Sequence, residues 1–312
     1  MTGRAILVTG VSGFVGPHLA RALAATGAPV VGLGVESEPP RDLPLAGWHV
    51  ADLGEAPAVT EAVAKVRPAA IVHLAGQSSA GRSFADSAGT FRANAAGTAN
   101  LLAAVAAGAP AARVLVIGSG EAYGPQPAGT RVGEDAPFAP VSPYAASKAE
   151  ADRIAVVAGE QGLDVVRVRA FSHTGPGQSP VFVVPGWAQQ IAAIEAGRAE
   201  PVLRVGNLEV TRDLTDVRDV VAAYLALLER GTRGAAYNVC RGEGVTLADV
   251  VRRMTVLSRV PVRVETDPAR LRPADVPWLV GDPTRIARDT GWHAAIPLDR
   301  TLADVLEEWR GR

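Results

Sequence analysis

Thr9-Gly10-Val11-Ser12-Gly13-Phe14-Val15-Gly16 follows the short apolar run Ile6-Leu7-Val8 and leads into an Ala- and Leu-rich stretch. Its spacing is glycine, two residues, glycine, two residues, glycine. Glycine permits a tight turn and lets the backbone approach a pyrophosphate. The helix that follows turns its free N–H groups and partial positive charge toward that anion. Three spaced glycines alone are weak evidence; between a strand and a helix, at the head of an alternating chain, they predict a dinucleotide-binding turn. Gly10, Gly13, Phe14, Val15 and Gly16 are therefore candidate cofactor residues.

Outward from that turn, short Val/Ile/Leu runs at 5–8, 30–33, 48–51, 70–74, 114–117 and 164–168 alternate with helical spacing at 14–26, 57–66, 90–107 and 143–161. Most of the runs are continuously apolar, the signature of strands buried on both faces. The alternation predicts an α/β fold: a Rossmann-type doubly wound parallel sheet with right-handed crossovers, binding ligands at the carboxyl ends of its strands. After Ala170 the texture changes. Residues 171–185 are rich in Gly, Pro, Ser and Val, and helical order returns at 186–196, 216–230, 246–257 and 298–309, with Pro-punctuated stretches between. This pattern predicts a smaller α/β substrate-binding domain from 171–211 and 241–312, with 1–170 and 212–240 forming the dinucleotide-binding domain. No internal repeat or low-complexity linker is present, so the two are expected to pack together.

Composition narrows the functional classes. The 312 residues suggest about two domains or one large α/β unit. Lys+Arg number 31 against Asp+Glu 32, a net charge of −1, and no run of five or six like charges occurs, so nucleic-acid binding is not expected. With 48% hydrophobic residues and a mean hydropathy of +0.15, the chain reads as packed and soluble. Cys240 is the only cysteine, which excludes an internal disulfide and a multi-cysteine zinc site and fits a reducing cytoplasm; no metal is expected. The residues before Thr9 are too few for a signal-peptide core. The longest apolar tract, 101–118, is broken by Gly108, Pro110 and Arg113, so no membrane span is expected.

The second strand should end in an acid for the adenosine ribose, or near an arginine for a 2′-phosphate. Here Leu33-Gly34-Val35-Glu36 puts glycine at that position; Glu36 could still reach the ribose and Arg41 a phosphate, leaving NAD against NADP open. Asp52, followed by Leu53, suits either an adenine contact or a helix N-cap. Tyr144-Ala145-Ala146-Ser147-Lys148 puts a phenol and an ammonium four apart, on one face of a helix. An adjacent ammonium favours the ionised phenol and would move its pKa from about 10 toward neutrality.

The glycine turn, the Tyr/Lys pair and Ser119 at the end of the fifth strand together resemble the extended short-chain dehydrogenase/reductase family, over essentially the whole chain. The resemblance implies that Ser119 orients the substrate carbonyl, Tyr144 exchanges its proton, and Lys148 tunes Tyr144 while holding the nicotinamide ribose. His73-Leu74-Ala75-Gly76 resembles the family segment that passes under the cofactor, which implicates Leu74, Ala75 and Gly76, with His73 read as a packed strand residue; Phe171 is a further cofactor candidate. Nucleotide-sugar 4,6-dehydratases of this family carry an acidic pair directly after the Ser/Thr. This chain reads Ser119-Gly120-Glu121, so only Glu121 remains.

Three later segments are similar to the GDP-4-dehydro-6-deoxy-D-mannose reductases within the family: Phe171-Ser172-His173-Thr174-Gly175-Pro176-Gly177-Gln178; Val205-Gly206-Asn207-Leu208 leading to Arg212-Asp213; and Leu271-Arg272-Pro273-Ala274-Asp275-Val276-Pro277. The similarity implies Arg212 and Arg272 as diphosphate ligands, with Glu121, Ser172 and His173 on the substrate. Ser172 stands where relatives usually have asparagine, and His173 could instead order its loop. The expected activity is NAD(P)H-dependent reduction of the C4 keto group of a nucleotide-linked 4-keto-6-deoxyhexose, most specifically GDP-4-dehydro-6-deoxy-D-mannose to GDP-D-rhamnose. The alternatives are a nucleotide-sugar epimerase, a reductase of a dTDP-linked sugar, or an inactive cofactor-sensing protein. Relatives pair through helices corresponding to 90–107 and 143–161, which implies a homodimer.

Overall fold

The computed structural model describes residues 4–271 and 276–312. Seven strands, β1 (Ile6–Thr9), β2 (Val30–Gly34), β3 (Gly47–Val50), β4 (Ala70–His73), β5 (Arg113–Ser119), β6 (Asp164–Ala170) and β7 (Ala236–Val239), form one sheet in the order β3-β2-β1-β4-β5-β6-β7. Every pairing in it is parallel, as the doubly wound expectation requires. Strands β1, β4 and β7 are buried at every residue; burial on both faces gives β1 and β4 their apolar runs, whereas β7, which carries Asn238, lies outside the strands expected from sequence. The half-exposed β3 closes one edge.

The main helices are α1 (Val15–Ala25), α2 (Ala56–Val66), α3 (Gly97–Gly108), α4 (Pro143–Glu160), α5 (Val183–Glu195), α6 (Val217–Arg230), α7 (Leu247–Val256) and α8 (Leu298–Arg310). On one face of the sheet, Leu19 and Leu23 of α1 with Val220, Tyr224 and Leu227 of α6 bury against Val8, Val72 and Val168. On the other, Val59 and Val63 of α2, Leu101 and Val105 of α3 and Ala155 of α4 cover Leu7, Ile71, Val114 and Val165. Each large apolar side chain buried this way contributes about 1.5–3 kcal/mol. A separate core joins Trp187 and Ile191 of α5, Val250 and Met254 of α7 and Leu302, Leu306 and Trp309 of α8. Thr211–Asp213 lies with that second core, paired with Gly244–Thr246 and Trp278–Leu279, and α6 and β7 return to the large sheet.

The stretch 90–107, which has one helical spacing in sequence, is built in three pieces: Ser87–Phe91, a π-helical turn at Arg92–Ala96, and α3. The wider turn changes which side chains face the sheet edge, and its consequence appears at the site. Two short helices, Ala80–Ala85 and Thr284–Thr290, lie outside the sequence expectation. No helix among the described residues is long and apolar enough to cross a membrane.

Candidate active site

A cavity of about 800 Å³ opens over the carboxyl ends of β1, β2, β4, β5 and β6, with the second core forming its opposite wall. The glycine turn is its floor. Gly10 has φ +69°, and a Cβ there would stand 2.7 Å from the backbone of Ala75. A Cβ on Gly16 would stand 2.1 Å from the Val11 carbonyl oxygen. Only glycine lets the turn press against Leu74-Ala75-Gly76 on one side and take the first turn of α1 on the other. No acidic residue occupies the first turn of α1 and no side chain caps it, so its leading amides remain for an anion. Gly13, Phe14, Val15, Asp52, Leu53 and Phe171 also line the cavity, so these residues fit a dinucleotide cofactor. Asp52 is not the cap of α2: its Oδ1 accepts from Gly54 N at 2.8 Å in a local turn, and Glu55 precedes the helix.

Beneath the turn runs a polar strut. Thr9 Oγ1 and His73 Nδ1 are 2.8 Å apart, His73 Nε2 lies 3.0 Å from Thr98 Oγ1, and Thr98 Oγ1 donates to Asn94 O at 2.6 Å. Because the Thr98 hydroxyl proton is spent on Asn94, His73 Nε2 donates and Nδ1 accepts from Thr9. Burial drives the His73 pKa down to about 3, with the Lys148 ammonium adding to the effect, so the ring is a neutral strut rather than a proton carrier.

Asn94 ends that strut and is a residue the sequence reading missed. Its Oδ1 accepts from Gln77 N at 2.8 Å, and its Nδ2 donates to Gln77 O at 3.0 Å and Ser147 Oγ at 2.9 Å. It thereby ties the segment after β4 to α4, the helix that bears Tyr144 and Lys148. A Cβ on Gly76 would fall 2.4 Å from Asn94 Oδ1, so Gly76 is needed for this contact. The π-turn is what aims Asn94 inward, and a helical spacing in sequence carries no mark of it.

The Tyr/Lys pair rides on α4, whose start is fixed by Pro143 at the first turn and by Ser142 Oγ accepting from Ala145 N at 3.1 Å. Ser119, at the end of β5, accepts from Glu121 N at 3.1 Å. Burial raises the Tyr144 pKa well above the ordinary phenol value, the Glu121 carboxylate raises it further, and a hydrogen bond with Ser119 pulls it back. The direction is opposite to the one the Tyr/Lys spacing suggests, because burial of the phenol outweighs its neighbours. The result is a phenol held protonated, the form a proton donor needs. Burial also brings Lys148 down to about 8, and its Nζ donates to Ile117 O at 2.9 Å. Ser119, Tyr144 and Lys148 all line the one cavity.

The turn after Ser119 is anchored from below. Arg169 of β6 donates to Asp152 of α4 at 3.1 Å and to Tyr123 Oη at 2.7 Å, and Tyr123 Oη donates to Asn238 Oδ1 at 2.8 Å. Gly120 faces Phe171: a Cβ at 120 would lie 3.0 Å from three carbons of that ring. The position of the missing dehydratase acid is thus packed against an aromatic face.

Glu121, Ser172, His173 and Arg212 line the same cavity. The His173 ring stacks on Phe14 with centroids 5.9 Å apart and planes 9° apart, and its Nδ1–H donates to Phe171 O at 2.9 Å, so it orders its loop as well as facing the cavity. Arg212 donates to Thr211 O at 2.9 Å and Val276 O at 2.5 Å. Arg272 lies outside the described residues. Arg270, two positions earlier, lines the cavity and was not anticipated; a Cβ on Gly206 would stand 2.6 Å from its carbonyl oxygen, so Gly206 lets that turn descend. The basic 268–270 turn just before Arg272 was the signal available for it.

The parallel sheet, the glycine cradle at its switch point and the Ser/Tyr/Lys group above it place the chain among the extended short-chain dehydrogenases/reductases. Within them it belongs to the GDP-mannose 4,6 dehydratase family, whose pattern matches residues 7–305. It is 36% identical over 314 residues to a GDP-6-deoxy-D-mannose reductase from Pseudomonas aeruginosa, covering 100% of this chain and 99% of that one. Superposed on the NADPH complex of RMD from Pseudomonas aeruginosa it gives a TM-score of 0.86 at 34% identity, with 99% of each chain covered. It is also 31% identical over 310 residues to a UDP-glucose 4-epimerase from Azospirillum brasilense, covering 92% of this chain and 86% of that one.

Proposed function

We propose that this protein is an NAD(P)-dependent oxidoreductase that reduces the C4 keto group of a nucleotide-linked 4-keto-6-deoxyhexose, with GDP-4-dehydro-6-deoxy-D-mannose as substrate and GDP-D-rhamnose as product. The observation that carries it is the pairing of an assembled Ser119/Tyr144/Lys148 group with Gly120 packed against Phe171. Redox machinery is complete and one of the two acidic groups for dehydration has no place, although the family's name is a dehydratase. Full-length identity to a GDP-6-deoxy-D-mannose reductase supports the same reading.

When bound, the reduced nicotinamide supplies the hydride that goes to C4. Ser119 Oγ hydrogen-bonds the ketone oxygen and Tyr144, held protonated by burial, delivers a proton to the alkoxide as it forms, so no unpaired charge remains in the cavity. Lys148, still cationic below its pKa of about 8, then favours the phenolate until the phenol is reprotonated. Arg212, Arg272 and Ser172 take the sugar-nucleotide diphosphate, and Glu121 and His173 border the sugar. We read the cofactor domain as 1–170 and 212–240 and the substrate domain as 171–211 and 241–312, except that Arg212 and Asp213 go with the substrate domain, since their strand pairs with Gly244–Thr246 and Trp278–Leu279. Exposed Phe84, Phe91 and Val157 on the helices flanking α4 and on α4 itself support a homodimer through that face, and a buried lone Cys240 suits a reducing cytoplasm.

The test is to incubate the purified chain with the ketosugar and NADH or NADPH. Consumption of reduced cofactor with formation of the 6-deoxyhexose is expected; no consumption with either cofactor refutes the assignment. Dinucleotide retained stoichiometrically through purification, with no net redox, would favour the epimerase.

A further inference from the structure

Three of the four tyrosines have hydroxyl partners: Tyr123 Oη accepts from Arg169 and donates to Asn238, Tyr237 Oη donates to Asp289 at 2.8 Å, and Tyr144 bonds with Ser119. The fourth, Tyr224 of α6, is fully buried, and its Oη has no hydrogen-bond partner among the described residues. A buried hydroxyl without a partner is costly, and buried polar groups are paired in all but a few cases, so this one calls for an explanation.

Its place in the fold supplies one. Helix α6 starts beside the cavity, because Thr215 and Asp216 just before it pair with His173 and Thr174, which line the cavity. A helical side chain leans toward the N-terminus of its helix, so the Tyr224 ring rises toward that end. It lines the cavity together with Val15, Ile117 and Ala170, which pack in its apolar cluster. Burial raises the Tyr224 pKa well above the ordinary phenol range, and Tyr144 adds to the rise, so the two phenols lie within electrostatic reach of each other. Tyr224 therefore stays protonated and keeps a proton to donate. Hydride transfer requires the nicotinamide C4 to meet the carbon whose oxygen faces Ser119 and Tyr144, so the ring has to enter this part of the cavity. The carboxamide is the only hydrogen-bonding group on that ring, and its carbonyl oxygen can accept from a phenol. Against apolar side chains alone the ring could turn about its bond to the ribose; one directed hydrogen bond holds it.

We propose that Tyr224 Oη donates to the carboxamide oxygen of the nicotinamide and so orients the ring for transfer. This rests on the reading of the cavity as a nicotinamide-coenzyme site, and the experiment separates the two. Titration calorimetry on the full chain without sugar gives dissociation constants for NADH and NADPH and for the fragments that lack the nicotinamide, ADP-ribose and 2′-phospho-ADP-ribose, in the native protein and in Tyr224→Phe. For the tighter of the two coenzymes, Tyr224→Phe is expected to weaken binding about three- to tenfold, the worth of one neutral hydrogen bond, while the matching fragment binds as it does to the native protein. The coenzyme-free variant is expected to melt at or above the native Tm, because it loses a hydroxyl that has no partner in the fold. Unchanged coenzyme binding, an equal loss with coenzyme and fragment, or a coenzyme-free Tm several degrees below native overturns the role of Tyr224 and leaves the reductase reading standing. A native chain that binds neither coenzyme overturns both.

Discussion

Replacing Asn94 with alanine should uncouple the segment after β4 from α4. Asn94 is 1% exposed and makes three side-chain hydrogen bonds, two to the backbone of Gln77 and one to Ser147 Oγ. Ser147 is fully buried, and its hydroxyl is already committed as a donor to Tyr144 O at 2.8 Å. Each such bond contributes about 0.5–1.5 kcal/mol net, and a buried group left without its partner costs about 1–3 kcal/mol, so Asn94→Ala should destabilise the fold by about 3 kcal/mol. At an unfolding entropy of about 2.1 cal/mol/K per residue, that lowers Tm by roughly 5 °C for a chain of this length. The kinetic effect should exceed the stability effect, because the lost bonds fix both Gly76 in the cavity lining and the turn of α4 bearing Tyr144 and Lys148. Calorimetric unfolding with kcat measured well below Tm checks both. A Tm within 1 °C of native together with unchanged kcat, or a Tm loss with kcat untouched, would refute the bridging role.

Tyr144→Phe should lower kcat by about 10²-fold or more while coenzyme binding persists, since only the proton donor is removed; turnover near native would remove Tyr144 from the acid role. Arg212→Lys should raise KM for the nucleotide sugar about 10-fold or more and leave the coenzyme dissociation constant alone, because a point ammonium replaces the guanidinium fork; equal effects on both would place Arg212 elsewhere. For His73 the folded pKa of about 3 lies below its ordinary 6.5. Below 6.5 the unfolded chain takes up a proton the fold refuses, so stability falls as pH drops toward 3, by about 1.4 kcal/mol per unit. Urea midpoints of His73→Gln should show a flatter acid limb than native; an identical limb contradicts the buried neutral ring.

Most of the large sheet was legible because strands such as β1 and β4 are buried on both faces and therefore write apolar runs, and the glycine turn because close backbone approach at Gly10 and Gly16 tolerates no other residue; β7, with Asn238 in a four-residue strand, left no such run. What the sequence hid is of another kind. The π-turn that aims Asn94 inward keeps the composition and spacing of an ordinary helix, since one residue per turn of excess leaves no periodic trace over five residues. Glu36 was out of register, and only the fold shows its carboxylate folded back over Gly34, where a Cβ would stand 2.6 Å from Glu36 Oε2. The Tyr144 and Lys148 spacing announced a pair but not its electrostatics: burial decides the direction of both shifts, and burial at a cavity wall is set by the second core, whose short strands at 202–205, 211–213 and 278–279 carry too few residues for a pattern. The arginines were legible as charge and illegible as geometry, so Arg212 could be chosen by similarity while Arg270 could not.

The central claim is hydride delivery to C4 of a nucleotide-bound ketosugar, and isotope tracing tests it most directly. The purified chain is supplied with the GDP-linked 4-keto-6-deoxyhexose and with NADH or NADPH deuterated at the transferring position, and the product is read by proton NMR. The account predicts one deuterium at C4 of the hexose, with a single configuration there. Deuterium at C6, or a product formed without deuterium, would contradict it.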